Sequence, residues 1–224
     1  MYPIRNTAIR LALIFGFIVV ATQFFVKIKD VNTKLFKWLV SFLVFIFILG
    51  VLNSTKLNDI SDFSTTYISK LTSYHDIKYV WGGENKRGID CSGLMRMALV
   101  DTLITHGLLD RNLYLIWKAF NLWYYDLSAK AIMHGYDGKT FKVFDSLSIK
   151  DIDHSKLSIG DMAATDNGVH VLAYIGDKKW IQADPTRGKV TIDHSSSKAP
   201  WLDTKVCIVR WKLISDKISK LKDK

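Results

Sequence analysis

This chain contains very little cysteine and proline. Its 224 residues include two cysteines and three prolines. Two cysteines cannot form a disulfide framework, and a zinc site would need cysteines or histidines at close spacing. The sequence also has no internal repeat and no low-complexity segment. These features exclude a disulfide-stapled scaffold, a zinc finger and a repeat array, and the sequence predicts neither a metal nor a cofactor.

The charge of the chain is strongly positive, with a formal net charge of +10 at pH 7. Residues 1–53 supply +5 of this charge, from six lysines and arginines against one aspartate. The other +5 is spread over the rest of the chain without a basic stripe or groove motif. Nucleic acid is therefore not a predicted partner, whereas an anionic polymer or a lipid surface would suit this charge.

Two long uncharged runs account for the high hydrophobic content of 49%. Between Arg10 and Lys27 lie 16 uncharged residues, and between Lys37 and Lys56 lie 18. As helices they would measure about 24 and 27 Å, which approaches a ~30 Å hydrocarbon core if the flanking basic side chains snorkel. The pattern predicts a two-helix transmembrane hairpin within residues 1–53. The segments expected to contact the bilayer are residues 11–26 and 38–55.

Each run has an alternative interpretation. The first could be a cleaved signal peptide, because Arg5 and Arg10 precede it, but no small-residue cleavage site follows. The second could be a buried core helix, but it is apolar on all sides. Lysines are dense in the short connector and sparser outside it, which favours a cytoplasmic connector with both chain ends outside. The connector lysines are Lys27, Lys29, Lys34 and Lys37, against Arg5, Arg10, Lys56 and Lys70 outside.

A cysteine follows a glycine-rich turn in the stretch Gly88–Leu94, which comes shortly after Tyr79–Gly83. Apolar residues then recur every three or four positions, which predicts a helix that begins near Cys91. Asp90 can cap this helix. Unpaired N–H groups and the positive end of the helix dipole would stabilise a thiolate at Cys91. The pattern is typical of a cysteine nucleophile.

A nucleophile needs a base, and His170 opens a strand-like run that ends at Gly176. Similar runs follow, and helical patterns come before them, so the sequence predicts an α+β domain with helices packed on an antiparallel sheet. Cys207 alternates with apolar residues and is predicted to be a buried strand residue, unless it forms a disulfide with Cys91 in an oxidising compartment. The predicted strands lie at about 170–175, 179–184, 188–193 and 205–211.

These motifs, in this order, resemble the NlpC family of bacterial cell-wall cysteine endopeptidases. The resemblance covers roughly residues 64–212 and implies a papain-like domain. Any one of the motifs would be weak evidence, but together they are fairly specific. They are Tyr79–Gly83, Gly88–Leu94, Leu157–Asp161, His170–Gly176 and the strand Trp180–Ala183.

The resemblance implies hydrolysis of peptidoglycan stem peptides between γ-D-glutamate and the following diamino acid. Cys91 would attack the carbonyl as a thiolate, and His170 would accept the thiol proton and later protonate the leaving amine. Gln182 would orient the imidazole, with Asp184 as its substitute on the same strand face. By resemblance, the residues that help to bind the oxyanion or the substrate are Tyr79, Asp90 and Ser92.

Two features depart from the family pattern. Gln182 stands where the family usually has a second histidine, and Cys91 precedes His170 by 79 residues, a longer gap than the family suggests. The additional residues in this interval fall in a helical, aromatic-rich segment at about 105–145. That segment could line a cleft, rest on a bilayer, or pack an extra helix onto the domain.

The predicted organisation is a membrane-anchored peptidase of the bacterial cytoplasmic membrane, with its catalytic domain on the periplasmic or wall-facing side. Two alternatives are a non-catalytic envelope or secretion-apparatus component that binds wall peptide, and a lipid acyltransferase that uses the same cysteine and histidine. The predicted segments are the hairpin 1–53, a tether 54–63, the peptidase domain 64–212 and a basic tail 213–224.

Overall fold

The computed structural model describes residues 4–31, 33–52 and 60–215. The chain divides into two compact units. Among the described residues, the first comprises 4–31, 33–52 and 103–126, and the second comprises 60–102 and 127–215. Residues 53–59, which hold most of the predicted tether, and residues 216–224, which hold most of the predicted tail, lie outside the described residues.

The described residues contain six α-helices and eight β-strands. The helices are α1 (Ile4–Val31), α2 (Thr33–Leu52), α3 (Ile60–Thr72), α4 (Cys91–Leu109), α5 (Leu113–Tyr124) and α6 (Ala129–Met133). The strands are β1 (Glu84–Asn85), β2 (Gly88–Ile89), β3 (Thr140–Ser146), β4 (Met162–Thr165), β5 (Val171–Gly176), β6 (Lys179–Asp184), β7 (Lys189–His194) and β8 (Val206–Trp211). Short 3₁₀ helices span His154–Lys156 and Pro200–Asp203.

Both apolar runs near the start of the chain are helical. α1 has 28 residues and α2 has 20, and the rings of Phe25 and Phe36 meet edge to face with centroids 6.0 Å apart. Among the described residues, no helix combines the length and the apolar character needed to cross a membrane. The predicted transmembrane hairpin is therefore not supported. The second run continues to residue 55, beyond the described end of α2.

The helix α3 begins earlier than the sequence suggested. Residues 60–63, assigned to the tether, form its first turn. The reason is an apolar stripe at four-residue spacing, since Phe63, Tyr67 and Leu71 lie on one face and are fully buried. The Trp211 indole N–H donates to the Tyr67 hydroxyl at 3.1 Å, so α3 is joined to β8.

The second unit is an α+β fold built on a six-stranded antiparallel sheet of order β3-β8-β4-β5-β6-β7. This confirms the predicted class and the antiparallel sheet. Four strands coincide with the predicted runs, whereas β3 and β4 were missed. β4 has only four residues, all buried, so it shows no alternation that a sequence pattern could reveal.

The aromatic-rich segment is not helical throughout, which corrects the prediction for residues 105–145. It contains the end of α4, then α5 and α6, and finishes in β3. The helical part ends where Gly135 and Gly138 take positive φ angles of 93° and 74°, which glycine adopts readily. β3 then pairs with β8 as an edge strand.

Candidate active site

The position of Cys91, the predicted nucleophile, is fixed by a capped helix start. Cys91 is the first residue of α4 and only 6% exposed. The Asp90 carboxylate accepts the backbone N–H of Gly93 at 2.6 Å and that of Gly82 at 2.8 Å. One aspartate therefore caps the helix and ties the glycine-rich turn to it, as the sequence suggested. The Ser92 hydroxyl lies 3.0 Å from both the Asp90 carboxylate and the Leu127 carbonyl oxygen.

Close backbone approach explains the glycine that follows. A Cβ atom on Gly93 would lie 2.4 Å from the carbonyl oxygen of Gly83, so only glycine allows the turn to pack this tightly on α4. The turn before His170 has a similar requirement. Gly168 has a φ of +68°, and a Cβ there would lie 2.8 Å from the Lys130 side chain.

His170 immediately precedes β5 and is 1% exposed. Its backbone N–H donates to the Thr165 hydroxyl at 3.0 Å, which fixes the turn between β4 and β5. Its ring stacks on Trp201, with centroids 4.2 Å apart and planes inclined by 26°. Its Nε2 lies 2.8 Å from Gln182 Oε1 on the adjacent strand β6.

The structure brings Cys91 to the beginning of β5. Its Sγ lies 3.9 Å from the carbonyl oxygen of Val169, and the backbone N–H of Val171 donates toward the same sulfur. The sulfur therefore contacts the backbone on both sides of His170. Because Nε2 of His170 is engaged with Gln182, Nδ1 is the ring nitrogen left to exchange a proton with a thiol.

Burial controls the charge state of both groups. The pKa of Cys91 is raised to about 12, mainly by burial and to a smaller extent by the charge of Asp90, against lowering effects from backbone N–H groups. Burial also lowers the pKa of His170 to about 4, although Gln182 and Asp184 favour the charged form. The resting pair is therefore a neutral thiol and a neutral imidazole. Both shifts oppose the predicted thiolate at the helix terminus, so a thiolate would form there by proton transfer to His170.

Asp184 has other partners. Its buried carboxylate accepts the Arg187 Nε–H at 2.6 Å, the backbone N–H of Thr186 at 2.8 Å and the Trp201 indole N–H at 3.3 Å. Its charge favours the protonated form of His170, and its hydrogen bond holds the Trp201 indole that stacks on the imidazole. Of the two candidates for the third position, the structure places the Gln182 side chain against the imidazole.

Tyr79 also lies in this site. The pKa of its phenol is raised to about 12, mainly by burial and also by electrostatic interaction with Cys91 and Asp90, so the phenol is protonated and lies within electrostatic range of Cys91. Its backbone N–H donates to the Gly188 carbonyl oxygen at 2.8 Å. The predicted set of Cys91, His170, Gln182, Tyr79, Asp90 and Ser92 is thus gathered at one place. No group of three histidine, cysteine or acidic residues among the described part of the chain could hold a metal.

Sequence reasoning missed the residues behind Gln182. Gln182 Nε2 donates to Asp193 Oδ2 at 2.9 Å, and Arg187 binds the same carboxylate with two nitrogens at 2.5 and 2.8 Å. Trp201 was missed as well. The alternation of β7 could have placed Asp193 on the inner face, but its register against β6, where Gln182 pairs with Thr191, is a tertiary feature.

The family model described as the NlpC/P60 family matches residues 76–210. That range includes every residue of the site and more than half of the chain. The chain belongs to the NlpC/P60 family. The match confirms the resemblance drawn from the motifs. Within the matched range, residues 103–126 belong to the first compact unit. These residues form part of the unusually long interval between Cys91 and His170.

Solved NlpC/P60 structures resemble the chain at low sequence identity. A family protein from Bacillus cereus is 16% identical with a TM-score of 0.43, over 66% of this chain and 40% of that protein. The peptidoglycan hydrolase RipB from Mycobacterium tuberculosis is 17% identical with a TM-score of 0.43, over 68% of this chain and 67% of RipB. The NlpC/P60 domain of the peptidoglycan hydrolase SagA is 18% identical with a TM-score of 0.40, over 65% and 97% of the two chains. No curated protein matches the sequence.

Proposed function

We propose that this protein is a cysteine endopeptidase that hydrolyses peptidoglycan. The observation that carries the proposal is the contact of Cys91 Sγ with the backbone on both sides of His170, whose Nε2 meets Gln182 at 2.8 Å. Membership of the NlpC/P60 family supports it, and two similar structures, RipB and SagA, are described as peptidoglycan hydrolases.

The reaction would begin with a neutral pair. His170 Nδ1 accepts the thiol proton as Cys91 Sγ attacks the peptide carbonyl, and the backbone N–H of Cys91 helps to stabilise the oxyanion. The imidazolium then protonates the leaving amine, which leaves a thioester on Cys91. Water attacks the thioester while His170 takes its proton, and the free thiol and a carboxylic acid result. Gln182 accepts a hydrogen bond from Nε2 throughout and holds the ring in place.

The proposed bond is the one between γ-D-glutamate and the diamino acid of the stem peptide. The test is mass spectrometry of fragments released from purified cell walls by the full-length protein, with Cys91→Ala as its matched control. Wild type should release peptides that begin at the diamino acid, and Cys91→Ala should not. Equal fragment patterns from the two proteins would contradict the proposal.

We also propose that the chain is attached to the bacterial cytoplasmic membrane, with residues 27–37 on the cytoplasmic side and the peptidase domain facing the wall. The support comes from the two uncharged runs of 16 and 18 residues and from the lysine-rich connector. Large side chains on the first two helices are also exposed, among them Phe17 at 74% and Trp38 at 77%. Apolar surface of this kind is expected where a protein meets lipid.

One observation favours a second candidate, a domain that binds wall peptide without cleaving it. The Cys91 thiol is almost fully buried and its pKa is raised, so it is a poor nucleophile until a base acts on it. Labelling with a thiol-directed probe at neutral pH separates the two candidates. Rapid labelling that is lost in His170→Ala supports a peptidase, and labelling no faster than that of Cys207 supports a binding domain.

A further inference from the structure

The carboxylate behind Gln182 has a role that neither the motifs nor the family match assigns. We propose that Asp193, held by Arg187, is a positioning residue that fixes the amide orientation of Gln182 and thereby the protonated nitrogen of His170. This inference deepens the proposed peptidase function and rests on it for its consequence in catalysis. The orientation itself can be measured independently of any activity.

Asp193 is 7% exposed and lies on β7, next to the strand that carries Gln182. Its Oδ2 accepts the Gln182 Nε2–H at 2.9 Å and contacts the Thr191 hydroxyl at 3.3 Å. Arg187 contributes a bidentate pair, in which Nη2 donates to Oδ2 at 2.5 Å and Nη1 donates to Oδ1 at 2.8 Å. Bidentate pairs between guanidinium and carboxylate fix the geometry of both groups.

The Asp193 carboxylate is ionised. Burial raises its pKa, but hydrogen bonds from Arg187 and Gln182 outweigh burial and leave the pKa below its ordinary value. An ionised carboxylate only accepts hydrogen bonds. It must therefore face the NH₂ group of the Gln182 amide, because the opposite orientation would place Oε1 against a carboxylate oxygen.

The amide orientation decides the tautomer of the neutral imidazole. With its NH₂ group directed at Asp193, Gln182 presents Oε1 to His170 Nε2 at 2.8 Å. Oε1 only accepts, so Nε2 must carry the proton. Nδ1 then has a free lone pair, as a base for the Cys91 thiol requires. A flipped amide would favour the other tautomer, in which Nδ1 already carries a proton and cannot accept one.

Arg187 connects this arrangement to solvent. Its side chain is 38% exposed and, with Asp184 and Asp193, lines an open cavity of about 290 Å³ that also includes Lys198. Its Nε donates to Asp184 at 2.6 Å, so one guanidinium holds the carboxylate behind Gln182 and the carboxylate that supports Trp201. Because the cavity is open, a small cation from solution can reach the position of the guanidinium.

The test compares Asp193→Asn with Asp203→Asn, a surface aspartate that pairs with Lys150. An asparagine can present either an oxygen or an NH₂ group to Gln182, so the orientation is no longer imposed. Imidazole ¹⁵N NMR of the full-length protein, carrying Cys91→Ala, should show a single Nε2–H tautomer for His170. Adding Asp193→Asn should give a mixed or reversed tautomer, and adding Asp203→Asn should change nothing. An unchanged His170 spectrum in folded Asp193→Asn would overturn the proposal.

Kinetics supply the second measurement. With Cys91 present, Asp193→Asn should lower kcat roughly ten- to a hundredfold with little change in KM, because the effect acts on the base and not on substrate contacts. If wild type proves inactive on wall peptides, the peptidase proposal fails while the tautomer measurement still decides the role of Asp193. If Asp193→Asn changes the tautomer but not kcat, Asp193 has no effect on catalysis, and this result would also count against the proposal.

A second variant covers the case in which Asp193→Asn does not fold. Arg187→Ala removes the bidentate pair that fixes the Asp193 carboxylate. The carboxylate can then turn away from Gln182, so the tautomer of His170 should also relax. Added guanidinium at low millimolar concentration should restore the Nε2–H tautomer, whereas an equal concentration of sodium should not. Failure of both Arg187→Ala and guanidinium to affect the tautomer would contradict the proposal.

Discussion

At the scale of single residues, burial favours the neutral forms of both the proposed nucleophile, Cys91, and the proposed base, His170. Burial raises the pKa of Cys91 to about 12 and lowers that of His170 to about 4. A separated thiolate and imidazolium would be costly in this environment. In the proposed reaction, the thiol proton would therefore be transferred at the moment of attack, and the orientation of the imidazole would be decisive.

The first prediction concerns the nucleophile. Cys91→Ala should abolish peptide cleavage and leave the thermal unfolding midpoint within a few degrees of wild type, because a small side chain still fits the start of α4. Cleavage assays and circular dichroism measure the two effects. Cys207→Ala is the matched control, since Cys207 is a free, buried cysteine on β8, and it should retain activity. Cleavage by Cys91→Ala near the wild-type rate would refute the assignment.

The second prediction concerns the residue against the imidazole. Gln182→Ala should lower kcat roughly ten- to a hundredfold, about 1.4 to 2.7 kcal/mol of transition-state stabilisation, because His170 loses the acceptor for Nε2. Gln182→His restores the usual family residue and should retain activity, since an imidazole nitrogen can accept the same bond. Asp184→Ala should have the smaller effect on kcat. If it is the more damaging change, the orienting role belongs to Asp184.

At the scale of elements, the Leu157–Asp161 motif acts as a structural connection. Asp161 is fully buried, and its carboxylate accepts two hydrogen bonds from Arg210 at 2.5 and 2.8 Å and the backbone N–H of Ser158 at 2.8 Å. The motif is thus joined to β8 just before β4 begins. Because β4 lies between β8 and β5, this connection helps to hold the strand that follows His170.

The third prediction is that Asp161→Ala destabilises the fold by roughly 3 to 5 kcal/mol, because it leaves a largely buried Arg210 without its carboxylate. Asp145→Ala is the matched control. Asp145 pairs with Lys142 at the surface of β3, where solvent screens the interaction. Chemical unfolding monitored by tryptophan fluorescence should show a large shift for the first variant and almost none for the second. Equal shifts would contradict this account of the motif.

At the scale of the whole molecule, the histidine in the site also affects stability. Its pKa is about 4 in the folded chain against an ordinary value of 6.5, so on acidification the unfolded chain takes up the proton first. The fourth prediction is that this contribution is complete above pH 6.5 and is lost progressively between pH 6.5 and about 4.

The size of this effect follows from the shift, at about 1.4 kcal/mol for each pKa unit, or roughly 3 kcal/mol in total. His170→Gln can still contact Gln182 but does not titrate, so its stability should fall less than that of wild type over this interval. Thermal unfolding at several pH values measures the difference. The exposed His194→Gln is the control and should follow wild type. Parallel curves for His170→Gln and wild type would show that His170 does not contribute.

The fifth prediction concerns the proposed placement of the chain in a membrane. In a background lacking Cys91 and Cys207, a single cysteine at Lys29 should be shielded from an impermeant thiol reagent in intact cells, and one at Lys198 should react. The reason is the lysine-rich connector, which favours the cytoplasmic side. Permeabilised cells provide the control, since both positions should then react. The reverse pattern in intact cells would invert the topology, and equal reaction of both would remove the membrane proposal.

The sequence by itself determined the family, the α+β class and the start of the helix α4 at Cys91. Local chemistry encodes these features: a capping aspartate before Cys91, glycines where the backbone must approach closely, and strand-like runs separated by turn residues in β5 to β8. Strand β3 and the short β4 were less accessible, since β4 is buried on both faces and β3 is an edge strand defined by its pairing with β8. The sequence also predicted a transmembrane hairpin that the described helices do not support.

Only the tertiary structure decided how the base is positioned. Gln182, Asp193 and Arg187 are separated along the chain, and the β6–β7 register brings their polar atoms within 3 Å of one another in series. The tertiary structure also directs the Asp184 carboxylate toward Arg187 and Trp201. From the sequence alone, Asp184 was as good a candidate as Gln182 for orienting His170, because both lie on the same face of the strand. The protonation states of Cys91 and His170 also depend on the tertiary structure, because burial is the main cause of both pKa shifts. A helix terminus is a local feature that favours a thiolate, whereas desolvation depends on everything packed around the sulfur, and here desolvation is the larger effect.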